Sequence, residues 1–232
     1  MLKAVGIEKK FFRKTGEANF FRAVEKTDLT LEKGTVTMVT GRSGSGKTTL
    51  LQLLAGLLKP SEGQVLLEER ELYALDDAAL SALRAGRMAV IPQVNTAVAS
   101  LTVWENILLP AMLAGRDLKA VGEKASAMLE TLGIAGLRDA MPGELSGGEK
   151  RRMSIVRALC CGAELIFADE PTGDLDDENT LAVLKLLRQA ADGGAAVLLV
   201  THEREAAQWA DRLLRMNAGR LEEQTTQDLT EA

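Results

Sequence analysis

Residues 1–35 alternate apolar and polar positions, the period of two that turns one face of a strand to a core. Lys14-Thr-Gly-Glu17 interrupts the alternation, so the segment predicts two or three antiparallel strands. Thr35 to Thr40 is a short β-branched run that ends at Gly41, which predicts a buried strand entering a glycine turn, and Thr48 to Leu57 reads as a helix. Three further apolar runs, Met88 to Ile91, Leu165 to Ala168 and Ala196 to Val200, stop just before Gln93, Asp169 and His202. Between about 95 and 160 the spacing becomes helical. Thr102-Val-Trp-Glu105 has capping-box spacing, and Asp117 precedes a second helix. Asp176 starts another that runs to about Ala191, with Gly193 and Gly194 as its stop. Ligands of open α/β sheets bind beyond the carboxyl ends of the strands. Four strands here deliver Gly41, Gln93, Asp169 and His202 to that one edge, which predicts a single site.

Composition narrows the picture. A chain of 232 residues suffices for one α/β domain, and with only 3% aromatics its core must be Leu, Val, Ile, Met and Ala. A net charge of -5 argues against broad nucleic-acid binding, so no nucleic-acid partner is expected. The two cysteines, Cys160 and Cys161, are neighbours; they cannot form an unstrained disulfide and read as buried thiols in a helix from Ser154 to Cys161. The N-terminus is charged too early for a signal peptide. The longest apolar run, Ile107 to Ala114, is broken by Pro110 and falls short of the roughly 18 residues of a membrane span. The expectation is a soluble cytosolic chain without internal repeats, with a frayed polar tail over Glu222 to Ala232.

Gly41-Arg42-Ser43-Gly44-Ser45-Gly46-Lys47-Thr48 fits G-x-x-x-x-G-K-[ST] and lies between a predicted strand and a predicted helix, the context the motif requires. The glycines let backbone N–H groups turn inward around a phosphate chain, and the following helix adds its positive dipole end, with Thr49 in its first turn. Lys47 would reach the β- and γ-phosphates, and the Thr48 hydroxyl would meet Mg²⁺. Asp169, at the end of a buried strand, would hold the same Mg²⁺, directly or through water. Glu170, one residue on, could polarise an attacking water. Taken alone, two acids after a strand are a common solvated feature; beside the phosphate loop they read as chemistry.

Leu145-Ser146-Gly147-Gly148-Glu149, followed by Asp169-Glu170, resembles the LSGGQ signature of the ATP-binding-cassette (ABC) ATPases, and the similarity covers nearly the whole chain. Gln93 resembles the family's Q-loop glutamine, Gly173-Asp-Leu-Asp176 its D-loop, and His202, the only histidine, its switch histidine. Phe12, or else Phe11, falls near the family's adenine-stacking aromatic; a core or edge-strand role is the plain alternative for Phe12. The resemblance implies an α/β fold: a phosphate-loop, RecA-like ATPase core with an antiparallel β subdomain over 1–92 and 162–232, and an inserted helical signature subdomain over 93–161. It implies ATP and Mg²⁺ as cofactors. Gln93 would sense Mg²⁺ and the γ-phosphate, and His202 would hold the γ-phosphate and the attacking water. Ser146, Gly147, Gly148 and Glu149 would meet the ATP of a second copy, and Asp176 would align the dimer seam. The implied partners are that second copy and an integral membrane permease subunit, with the chain peripheral on the cytoplasmic face of the membrane.

Two positions depart from the family pattern. Glu149 stands where Gln is usual, and Pro92 precedes Gln93 in a loop the family uses as a hinge. Ser146 and Glu149 also have capping-box spacing, which accounts locally for the acid. The segments Leu101 to Pro110, Ala168 to Asp176 and Thr201-His-Glu resemble the branch of lipoprotein release, macrolide export and antimicrobial-peptide resistance. Alternatives are a soluble ABC ATPase of translation or DNA repair, a cell-division-type ATPase, or a catalytically silent cassette. Finally, Val94 to Leu113 carries more apolar residues than a small helical subdomain can bury, so the stripe reads as part core and part docking groove, with complete local burial as the alternative.

Overall fold

The computed structural model describes residues 1–12, 20–94 and 96–225. The interruption at Lys14 to Glu17 and most of the polar tail lie outside the described residues. In chain order the elements are β1 (Leu2–Phe12), β2 (Phe20–Leu31), β3 (Val36–Thr40), α1 (Lys47–Leu54), β4 (Glu62–Leu67), β5 (Arg70–Glu71), α2 (Asp77–Arg87) and β6 (Met88–Ile91). Then follow α3 (Val103–Leu113), α4 (Leu118–Thr131), α5 (Gly147–Leu159), β7 (Leu165–Asp169), α6 (Asp177–Asp192), β8 (Ala196–Val200), β9 (Arg212–Asn217) and β10 (Arg220–Gln224).

Two sheets organise them. One is antiparallel in the order β2-β1-β4-β5; the other runs β10-β9-β3-β8-β7-β6, parallel except for the β9–β10 hairpin. Strands β3, β7 and β8 are buried along their whole length, as parallel strands covered on both faces must be. Their alternation divides the interior in two. Leu165, Phe167, Leu198 and Val200 join α1 and the antiparallel sheet in one core. Ile166, Ala168, Val197 and Leu199 join α3, α4, α5 and α6 in the other. The helices of 103–159 thus share one continuous core with a face of the parallel sheet.

Several boundaries differ from the sequence reading. Helix α1 stops at Leu54 rather than Leu57, because Gly56 takes the left-handed φ of 69°. Pro110 does not break the apolar run but sits inside α3. The helix expected over Ser154 to Cys161 begins instead at Gly147 and ends at Leu159; Cys160 is buried at its C-cap and Cys161 is half-buried. Residues 222–224, assigned to a fraying tail, pair with β9 as the end of β10. No described helix is long and apolar enough to cross a membrane.

Candidate active site

Among the described residues, five of the six α-helices begin with a side-chain cap: Asp76 on α2, Thr102 on α3, Asp117 on α4, Ser146 on α5 and Asp176 on α6. Helix α1 does not. Its N-cap is Gly46, which has no side chain to offer, so its first N–H groups are left for an external anion. The loop cannot be built otherwise. At Gly41 (φ 143°) a Cβ would come within 2.2 Å of Met216 O, and at Gly46 (φ 111°) within 2.1 Å of Ala23 O. Lys47 is buried, and its Nζ donates to the carbonyls of Gly41 (2.8 Å) and Arg42 (3.2 Å), so its ammonium lies over the loop.

This loop floors a cleft of about 740 Å³. Gly41 to Gly44 and Gly46 to Thr49 line it together with Gln93, Asp169, Glu170 and His202, so the four strand ends meet at one site as their order along the chain predicts. Ser45 is not in the lining; its hydroxyl is buried without a hydrogen-bond partner.

Asp169 ends β7, 3% exposed. Burial pushes its pKa upward, against the lowering effect of a hydrogen bond to the Thr48 side chain. Its Oδ1 is buried with no hydrogen-bond partner. A desolvated carboxylate oxygen with nothing to bond, beside a threonine hydroxyl, is the donor set of a hard cation, and Mg²⁺ fits it. Glu170 follows in a left-handed backbone, φ 47°. Its Oε2 lies 2.9 Å from His202 Nδ1, and its backbone N–H donates to Val200 O at 2.8 Å, tying β7 to β8.

The signature residues stand apart from this cleft. Glu149 Oε2 accepts from Ser146 N (2.7 Å) and Ser146 Oγ (2.8 Å), and those bonds hold its carboxyl below the usual range. The capping box inferred from spacing is therefore formed. Gly148 packs against the D-loop, where an added Cβ would lie 3.4 Å from Asp174 O. Asp176 accepts from Asn179 N at 2.8 Å as the N-cap of α6. None of Ser146 to Glu149 or Asp176 lines the cleft of its own chain.

The two candidate aromatics are placed differently. Phe12 is 87% exposed and off the cleft. Phe11 and its cross-strand partner Phe21 line the cleft instead, their rings stacked at 5.6 Å. Consecutive residues of a strand face opposite ways, so Phe11 and Phe12 cannot both turn to the cleft. A further residue of the site escaped the sequence reading: Arg151, buried to 2% on α5, also borders the cleft.

Comparison with known proteins agrees with this fold. The family model described as ABC transporter matches residues 24–173. The lipoprotein-releasing system ATP-binding protein LolD of Aquifex aeolicus is 37% identical over 201 residues, which span 87% of this chain and 90% of that protein. The macrolide export ATP-binding/permease protein MacB of Campylobacter jejuni is 37% identical over 198 residues, 85% of this chain but 31% of that longer protein. Among solved structures, the dimeric structure of MJ0796, a bacterial ABC transporter cassette, superposes with a TM-score of 0.87 at 30% identity, covering 96% of this chain and 98% of that one.

Proposed function

The chain belongs to the ABC transporter family, and we propose that it is the ATP-hydrolysing subunit of a membrane complex, active as a dimer that closes around two ATP. The observation that carries this reading is the convergence at one cleft of an uncapped helix N-terminus, Lys47, the partnerless Oδ1 of Asp169, and Glu170 beside His202. The N–H groups of Gly44 to Thr49 bind the phosphates, and Lys47 exchanges its two loop carbonyls for phosphate oxygens. Thr48 and Asp169, with Gln93 at the rim, would hold Mg²⁺, which when bound neutralises charge on the β- and γ-phosphates. Glu170 accepts the proton of the attacking water, and His202 orients that water and the γ-phosphate. Ser146, Gly147 and Gly148 lie off their own cleft and serve the ATP of the opposite subunit. Glu149, its carboxylate turned back on Ser146, keeps its charge on the cap rather than on the partner's phosphate. Asp174, whose carbonyl faces Gly148, and Asp176 line the seam.

The relatives bear on the wider assembly. LolD names a lipoprotein-releasing system, MacB an ATP-binding/permease protein, and the MJ0796 cassette was solved as a dimer. They support a second cassette and a membrane permease as partners, with this chain on the cytoplasmic face, where ATP is available. Export or mechanical transmission is the work this branch implies.

Glu170→Gln tests the reading. It preserves shape and removes the base, so hydrolysis should fall on the order of 10²-fold or more while ATP still binds. Size-exclusion chromatography with MgATP should then show an accumulating dimer. Wild-type turnover in the variant would remove Glu170 from the mechanism, and a monomer that binds ATP in every condition would refute the dimer.

A further inference from the structure

Arg151 is 2% exposed, yet no ion pair among the described residues includes it. Its guanidinium is spent on main-chain carbonyls. Nε donates to Pro171 O at 2.9 Å, Nη2 to Asp169 O at 2.9 Å and to Glu170 O, and Nη1 to Pro92 O and to Gln93 O at 3.3 Å. One planar fork thereby joins three segments: the start of α5, the end of β7 with Glu170 just after it, and the loop that carries Gln93. The same helix grips that loop again farther along, where Arg157 Nη2 donates to Thr96 Oγ1 at 2.9 Å.

The placement matters because of Glu170. Among the described residues, the non-glycine positions with positive φ are Glu68, Glu69, Glu170 and Ala218. Glu68 and Glu69 form the turn between β4 and β5, and Ala218 that between β9 and β10, where such angles are ordinary. Glu170 alone holds the left-handed region outside a hairpin, at the end of a parallel strand. A β-strand that continued normally would turn its side chain away. The left-handed step turns the carboxylate to His202, and such a step persists only where neighbours over-determine it. On one side Glu170 N–H is held by Val200 O; on the other its carbonyl is held by Arg151.

We infer that Arg151 is a positioning residue for hydrolysis: it locks the main chain at Glu170 in the conformation that aims the carboxylate, and fixes Gln93 in register with it. The inference rests on the role proposed above for Glu170. Lysine cannot substitute, because a point ammonium cannot span carbonyls on two sides of a planar fork.

A double-mutant cycle on the full chain with MgATP tests it, using wild type, Arg151→Lys, Glu170→Gln and the double variant. Arg151→Lys should lower kcat on the order of 10²-fold, the effect of a misplaced catalytic group, with KM for ATP within about threefold. In the Glu170→Gln background the same substitution should cost less than about twofold, because a residue acting through Glu170 has nothing left to aim. A folded Arg151→Lys with kcat near wild type overturns the inference, and so do losses that multiply in the double variant. Should Arg151→Lys lack a native melting transition, Arg151→Gln, which keeps two donors, takes its place. If both are unfolded at the assay temperature, the residue is structural and the inference falls. Wild-type turnover that ignores Glu170→Gln would refute the functional reading itself, whereas dependence on Glu170 with indifference to Arg151 refutes only this step.

Discussion

At the scale of single residues, spacing along the chain reveals chemistry only when the whole motif is local. The loop from Gly41 to Thr48, Ser45 apart, and the pair Asp169-Glu170 are of this kind, and each lines the cleft. Phe11 and Arg151 are not. Arg151 lies in Glu-Lys-Arg-Arg-Met, which reads as the solvated face of a helix; carbonyls from distant segments bury it, and no periodicity anticipates them. Choosing between Phe11 and Phe12 needs the strand's phase, and the cross-strand pairing Phe11↔Phe21 sets it. The prediction follows from that face. Phe11→Ala should weaken nucleotide binding by roughly 1–3 kcal/mol, the range for base–aromatic stacking. Phe12→Ala should stay within about 0.5 kcal/mol, as surface substitutions do. Because a stacked ring reads no hydrogen-bond code, GTP should bind with modest discrimination. Titration with a fluorescent ATP analogue decides, and the reverse ranking of the two variants would return Phe12 to the site.

At the scale of elements, the most legible parts were those with strong burial on both faces or a side-chain cap. The runs of β3, β7 and β8 and the starts of α3, α4 and α6 were recoverable for those reasons, and β6, an edge strand buried at alternate positions, by its apolar run alone. Helix α2 is capped by Asp76 but buries no residue fully, and β5 is two residues long; neither is among the expected elements. Helix α3 holds a feature that spacing hides. Asn106 is fully buried between Val103 and Ile107 on the core side. Its Oδ1 accepts from Val98 N at 2.8 Å, and its Nδ2 donates to the carbonyls of Val98, Leu101 and Thr102 at 2.9 to 3.0 Å. It therefore pins the 98–102 loop against the helix. Asn106→Ala would strand those buried groups and should destabilise the fold by about 1–3 kcal/mol, more if they stay dry. Urea denaturation followed by circular dichroism measures this as a lower midpoint at an unchanged slope. An unshifted midpoint would mean the loop holds itself.

At the scale of the whole molecule, a motor must expose a surface that moves with nucleotide and that its load can touch. The stripe from Val94 to Leu113 divides as only part of it could be buried. Val103, Ile107 and Ala111 face the core, while Val98, Met112 and Leu113 remain exposed, as does Val94 beside Gln93. Arg151 and Arg157 bind the loop around Gln93 to α5, whose first residues carry the signature. Movement at the γ-phosphate would therefore reach this apolar edge and the signature together, through one rigid helix. A cytoplasmic amphipathic helix of a membrane subunit could lay its apolar face there. Val98→Glu and Ala99→Glu place charge on the edge without entering the core, since both side chains are exposed and Asn106 holds the loop through its main chain. They should leave the circular dichroism spectrum and basal ATPase rate intact while abolishing co-purification with the co-expressed membrane subunit from detergent. Variants that unfold would place the 98–99 segment in the core. Variants that fold and still co-purify would move the docking surface elsewhere, and with it the path proposed from Gln93 to the load.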